Sequence, residues 1–210
     1  SLVDADPAKL LARLRAEGGD EGPELHAAYQ DVIDKAPADL VLHLASLFSL
    51  AAADDPTLGA IVLTGAGEHF CAGGNLNRLA ANRSQPPALQ RDSIERFHRW
   101  VLVLRRCPLP VIAAVEGNAA GAGFSLALAC DFIVAAESAK FTMAYVKVGL
   151  SPDGGGSAFT GRLLPRQLAA ELLLTGAPVD SRRLHALGVV NRIAADGTAL
   201  DEALALAQSL

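Results

Sequence analysis

The sequence predicts an α/β domain, and three observations carry that reading. Short β-branched or small apolar runs at 61–64, 111–115 and 132–134 alternate with longer stretches of helical apolar spacing. Glycine-rich turns separate several of these runs. A chain of 210 residues, 51% apolar and only 20% charged, is large enough and apolar enough to bury a core.

Taken in order, Leu10, Leu11 and Leu14 predict a helix over 7–17, and Gly18-Gly19-Asp20-Glu21-Gly22-Pro23 predicts the linker that ends it. Asp39 is positioned to cap an apolar helix reaching 53, which Asp54-Asp55-Pro56 terminates. Ile61-Val62-Leu63-Thr64 reads as a buried strand closing at Gly65, and the polar, proline-containing stretch 82–87 reads as a loop. Ile94, Phe97, Val101 and Leu104 mark the apolar face of a helix that stops before Pro108. Residues 111–115 form a buried strand between Pro110 and Glu116-Gly117-Asn118, followed by a glycine-rich turn and an apolar helix. Residues 132–134 are a further strand, 141–148 are mixed, and Ser151-Pro152-Asp153-Gly154-Gly155-Gly156 is a loop. Helices near 167–174, 181–187 and 200–210 flank a last strand at 189–193.

Composition excludes several classes of function. Eighteen Lys and Arg against twenty-three Asp and Glu leave a net charge of −5 with no basic run, and aromatics are 5%, so no nucleic-acid or anionic-membrane partner is expected. The longest apolar stretches fall short of the ~20 residues a membrane helix requires, and no signal peptide is expected. Three cysteines without a CxxC pair support neither a disulfide framework nor a zinc ribbon, and point to a cytoplasmic location. The five histidines form no HExxH or HxE pattern, so no metal is expected. A GxGxxG fingerprint, a GxSxG elbow and a GxxxxGK[ST] loop are all absent.

Three loops could carry chemistry: Phe70-Cys71-Ala72-Gly73-Gly74-Asn75-Leu76, Gly117-Asn118-Ala119-Ala120-Gly121-Ala122-Gly123, and Pro152-Asp153-Gly154-Gly155-Gly156. Each lets a ligand approach bare backbone. The second lies between a strand and an apolar helix, where free N–H groups at a helix start favour developing negative charge. That arrangement suits an oxyanion hole.

The run from Ile61 through Thr64-Gly65-Ala66-Gly67-Glu68-His69 to Phe70-Cys71-Ala72-Gly73-Gly74-Asn75-Leu76 resembles the signature of the crotonase, or enoyl-CoA hydratase/isomerase, superfamily. So do Pro110-Val111-Ile112-Ala113-Ala114-Val115-Glu116-Gly117, the Gly121-Ala122-Gly123 loop and Ala129-Cys130-Asp131. A third block runs from Ala139-Lys140-Phe141 through Gly149-Leu150-Ser151-Pro152-Asp153 to Leu164-Pro165-Arg166, and the likeness is continuous over about 54–192. Residues 1–36 are expected to be an atypical N-terminal helix and linker ahead of a core at 37–210, whose C-terminal helices are expected to be short or absent.

The resemblance implies a crotonase-like spiral of ββα units that binds acyl-CoA thioesters as a homotrimer or hexamer. No separate cofactor is implied, because coenzyme A is part of the substrate. The oxyanion donors fall by position on the amides of Ala72 and Ala122, each such donor being worth roughly 3 kcal/mol. Phe70, Gly73, Gly74 and Leu76, with Gly121, are implied to line the substrate path. Hydrating members hold water between two glutamates, and those positions here are Ser125 and Tyr145. Asp153 falls where isomerising members carry an acidic residue, and Pro-Asp-x-Gly-Gly is similar to the phenylacetate-pathway isomerase branch in particular. One carboxylate can remove and return a proton, so the resemblance implies isomerisation with Asp153 as shuttle. The alternatives are hydration, or an acyl-CoA-binding protein without catalysis in which Asp153 merely caps the following helix. Ser125 reads as a small packing residue, and Tyr145 as either pocket wall or hydrogen-bond donor. Cys71 and Cys130 are expected to pack inside, and Asp131 to fix a helix C-terminal turn.

Overall fold

A computed structural model describes residues 58–84 and 86–210. The helix expected at 7–17, the linker at 18–23, the Asp39-capped helix and the boundary at 36 lie outside the described residues. From Leu58 onward the alternation holds: strand β1 (Ile61–Thr64) is followed by helices α1 (Leu76–Asn82) and α2 (Pro87–Arg106), then strands β2 (Val111–Val115) and β3 (Asn118–Ala120). Helix α3 (Ala122–Ala129) leads into β4 (Phe132–Ala136), β5 (Lys140–Thr142) and a 3₁₀ turn at Ala144–Val148. The chain closes with α4 (Gly156–Leu163), α5 (Arg166–Thr175), β6 (Pro178–Asp180), α6 (Ser181–Ala186), β7 (Arg192–Ala194) and α7 (Ala199–Gln208).

Two sheets organise these elements. The first is parallel in the order β1-β2-β4-β7, and the second has the order β3-β5-β6, with β3 and β5 parallel and β6 antiparallel to β5. Strand β2 lies between β1 and β4, so both faces and both edges are covered, and all five of its residues are buried. Strand β1 was expected to be buried in the same way. Among the described residues it pairs on one side only, with β2, and Ile61, Val62 and Leu63 are half-buried.

The core has two main parts on opposite sides of β2. Val111, Ala113 and Val115 join Phe124, Ile133, Phe141, Leu168 and Leu172, while Ile112 and Ala114 join Val134, Ala199, Ala203 and Leu206 of α7. Helix α3 is apolar on every face, and residues 123–129 of it are all buried, as a helix packed on all sides requires. Phe124 stacks at a tilt on Phe141 with ring centroids 5.2 Å apart, a pair worth about 0.5–1.5 kcal/mol beyond its burial.

Three expectations are corrected by tertiary context. Ile94 is 44% exposed, so the buried stripe of α2 runs through Phe97, Val101 and Leu104 only. The last strand begins at Arg192: the amides of Val189 and Val190 turn back to the carbonyl of Leu184 after Gly188, so these valines are buried as a helix stop. Asp131 does not close α3. Its backbone N–H donates to Val111 O at 2.8 Å, its carboxylate accepts from Val111 N at 3.0 Å, and Arg105 lies 3.5 Å away, so it ties the start of β4 to the start of β2.

Glu116, directly after β2, makes a long-range connection. Its two carboxylate oxygens accept from Gly197 N at 3.1 Å and Ala199 N at 2.8 Å, capping α7 from across the sheet.

Candidate active site

The first two glycine-rich loops meet edge to edge. After β1 the chain turns so that Phe70 N donates to Glu116 O at 2.9 Å, Cys71 N to Asn118 O at 3.1 Å, and Ala120 N to Cys71 O at 2.8 Å. Residue Cys71 thus pairs as a one-residue bridge with β3 at Ala119. Strand β3 and this bridge were not expected from sequence, because Asn118-Ala119-Ala120 has no strand pattern of its own.

Close approach of backbones explains the glycines of the first loop. Gly73 has φ +89°, and a Cβ there would lie 2.7 Å from Ala120 O and 3.4 Å from Ala122 N. The peptide following Ala72 is therefore packed beside the first residue of α3. Among the described residues none accepts a hydrogen bond from the N–H of Ala72 or Ala122. These are two neighbouring backbone donors, the second at a helix N-terminus where the dipole favours negative charge. Gly121 is the N-cap of α3 and donates its own N–H to Thr142 O at 2.8 Å, which docks the helix start on β5.

That docking delivers the third loop. The register Ala120↔Thr142 places the 3₁₀ turn immediately after β5, and Gly149, at φ +70°, lets Leu150 N return to Tyr145 O at 3.0 Å. Gly154 has φ +56°, and a Cβ there would lie 2.2 Å from the Phe97 ring, so the third loop tolerates no side chain at that position. Gly156 opens α4 against α3, where a Cβ would lie 2.4 Å from Ser125 Oγ.

A buried hydrogen-bond chain results. Tyr145 Oη donates to Asp153 Oδ1 at 2.6 Å, and Ser125 Oγ lies 3.0 Å from the same phenol oxygen. Tyr145 is 7% exposed and Ser125 fully buried, while Asp153 is half-buried. Burial first, and then the hydrogen bond to the Asp153 carboxylate, push the Tyr145 phenol above its ordinary ionisation range. It therefore remains protonated and able to donate. Ser125 is three residues after Ala122 on α3, hence on the same face one turn away.

The candidate residues thus separate into groups. Ala72, Gly73, Gly121 and Ala122 lie together where the first two loops meet, and Ser125, Tyr145 and Asp153 form the chain one turn along α3. Gly74 is exposed, Leu76 is 60% exposed at the start of α1, and Phe70 is buried in the main core cluster. Asp153 does not cap the following helix: the N-cap of α4 is Gly155, no side chain bonds there, and Asp153 contributes only its carbonyl, to Gly156 N. Cys130 is buried with its thiol pushed up to about 12, mainly by burial, and Cys71 is half-buried. The bond between Tyr145 and Asp153 was beyond sequence reasoning, since nothing in an eight-residue separation says that the chain doubles back; the glycine at 149 is its one local signal. Among the described residues no helix is long and apolar enough to cross a membrane.

The enoyl-CoA hydratase/isomerase family model matches residues 39–210. The 1,2-epoxyphenylacetyl-CoA isomerase of Escherichia coli (strain K12) is 42% identical over 157 residues, covering 74% of this chain and 60% of that protein. The carnitinyl-CoA dehydratase of Citrobacter koseri is 39% identical over 157 residues, covering 75% and 59%. Among solved structures, an enoyl-CoA hydratase from Polaromonas sp. JS666 superposes with a TM-score of 0.79 at 55% identity, over 80% of this chain and 65% of that one. An enoyl-CoA hydratase from Bacillus anthracis gives 0.75 at 28% identity, over 81% and 65%. The chain spans about 60% of the length of the curated relatives it matches.

Proposed function

The chain belongs to the enoyl-CoA hydratase/isomerase family, with the crotonase fold, and on that premise we propose that it isomerises an unsaturated or epoxidised acyl-CoA thioester. The observation that carries this reading is the Ser125–Tyr145–Asp153 chain. The two positions implied to hold water in hydrating members are occupied by a serine and a tyrosine whose hydroxyls are hydrogen-bonded to each other. Asp153 supplies the carboxylate.

With a 3-enoyl-CoA, Asp153 takes a proton from carbon 2, and the electron pair of that C–H bond passes into the thioester, giving a dienolate. The amides of Ala72 and Ala122 donate to its oxygen, a contribution of roughly 3 kcal/mol each. Asp153 then returns the proton to carbon 4 as the carbonyl re-forms, leaving the double bond between carbons 2 and 3. The neighbouring loops, the Ala72 and Ala122 amides with no acceptor among the described residues, and the Asp153 carboxylate linked through Tyr145 to Ser125 of α3 support this assignment.

A second reading is water addition or removal, favoured by the similarity to carnitinyl-CoA dehydratases. Supplying 3-enoyl-CoA and 2-enoyl-CoA separately, and following the ultraviolet absorbance of the conjugated thioester, distinguishes the two. The expected result is a rise from the first substrate that falls at least a hundredfold in Asp153→Ala. A fall from the second substrate would favour water addition, and silence from both would leave acyl-CoA binding without either reaction.

A further inference from the structure

We propose that Tyr145 is a positioning residue that selects which oxygen of Asp153 handles the proton. The inference rests on the isomerase reading above and divides the carboxylate into a held oxygen and a working one. A phenol has a single proton to give. Tyr145 gives it to Asp153 Oδ1 at 2.6 Å, so Ser125, 3.0 Å from the same phenol oxygen, is the donor to Tyr145. The direction of the chain is thereby set: Ser125 to Tyr145 to Asp153. The bond at Oδ1 is at the short end of the ~2.5–3.0 Å range of hydroxyl donors. Among the described residues none donates to Oδ2.

The held oxygen cannot swing away without breaking the chain, and the chain is anchored. Ser125 is fully buried on α3, and the start of α4 presses on it at Gly156. The Tyr145 ring is held at 7% exposure in the main core cluster. Oδ2 therefore accepts the proton from carbon 2 and delivers it to carbon 4, with the C2–H bond broken and the C4–H bond formed on one face of the dienolate. With the phenol removed, the carboxylate is free to rotate, and a proton picked up on either oxygen exchanges with water before it is returned.

The test uses the full chain with a 3-enoyl-CoA in deuterium oxide, reading kcat, KM and the solvent deuterium at carbon 4 of the product. Tyr145→Phe keeps the ring and is expected to lower kcat about tenfold to a hundredfold, from the loss of a hydrogen bond to a charged group. KM should change less than about threefold, since the lost contact is made to the enzyme and not to bound substrate. The deuterium content should at least double. Ser125→Ala should move all three readouts in the same direction by less, and reports the same chain should Tyr145→Phe fail to fold. An unchanged kcat or deuterium content in a folded Tyr145→Phe overturns the proposal, as does a raised KM at unchanged kcat, which would make Tyr145 a pocket wall. A wild-type protein that leaves the 3-enoyl-CoA untouched overturns the double-bond isomerase reading, and the positioning role with it. That outcome is distinct from wild-type turnover that ignores Tyr145.

Discussion

Substituting Gly73 by alanine tests whether the contact between the first two loops builds the proposed donor pair. The added Cβ would sit 2.7 Å from Ala120 O, where ordinary contact begins at 3.4 Å, so the two backbones must part by about 0.7 Å. The φ of +89° adds strain for any residue with a side chain, of order 1–2 kcal/mol. Neither the Ala120 carbonyl nor the start of α3 can yield freely, since Ala120 N is bonded to Cys71 O and Gly121 N to Thr142 O. Misplacement of reacting groups by about 1 Å costs on the order of a hundredfold. Gly73→Ala should therefore lower kcat for the 3-enoyl-CoA about tenfold to a hundredfold, and lower stability in urea unfolding by about 2 kcal/mol. Gly74→Ala is the matched comparison for stability. Its Cβ would meet only the tip of Leu79 at 3.4 Å, its φ is not positive, and its cost should stay below about 0.5 kcal/mol. A Gly73→Ala protein with wild-type stability and kcat within threefold of wild type would refute the reasoning, as would equal destabilisation by the two substitutions.

Two further outcomes follow from hydrogen bonds outside the site. Glu116→Ala removes both acceptors from the start of α7 and should cost about 2 kcal/mol, lowering the melting temperature by about 4–8 °C, with Glu116→Gln near half of that; circular dichroism melts check it. Asp196 accepts from Ser138 N at 2.9 Å, and this bond holds its carboxyl below the ordinary carboxylate range. A group depressed by folding contributes stability above its unfolded pKa of about 3.9, and that contribution is lost as pH falls through the lower folded value. The stability gap between wild type and Asp196→Ala should thus be open at pH 6 and close in strong acid, as urea unfolding across that range would read. A gap independent of pH would mean that Asp196 acts through packing alone.

The elements legible in the sequence are those whose pattern is local. Val111–Val115 reads as a buried strand because five small or β-branched apolar residues stand between a proline and a glycine turn, and the structure buries all five. Helix α3 reads as buried because it has no polar face, and α2 stops before Pro108 because proline cannot continue it. The glycine loops with Ala72, Ala122 and Asp153 were legible through their ordered motifs, which also carry the family likeness. Two of the errors share one cause. Ile94, Val189 and Val190 have the right residue types for a helix face or a strand, and which neighbour covers each of them is decided by elements far along the chain.

By itself, then, the sequence determined the α/β class, the strands that begin at Ile61, Val111 and Phe132, the helices α2, α3, α5, α6 and α7, and the chemical kinds of group available near the loops. Periodicity, glycine placement and chain breaks act over a few residues and survive being read one segment at a time. Only the tertiary structure decided that Gly73 lies against Ala120 and Ala122, that Glu116 caps α7, and that Tyr145 turns its hydroxyl to Asp153 with Ser125 behind it. Those contacts depend on the register of β3 with β5 and on the packing of α4 against α3. Hydrogen-bond geometry between residues brought together in this way is a property of the assembled fold, because no segment contains both partners in their final orientation.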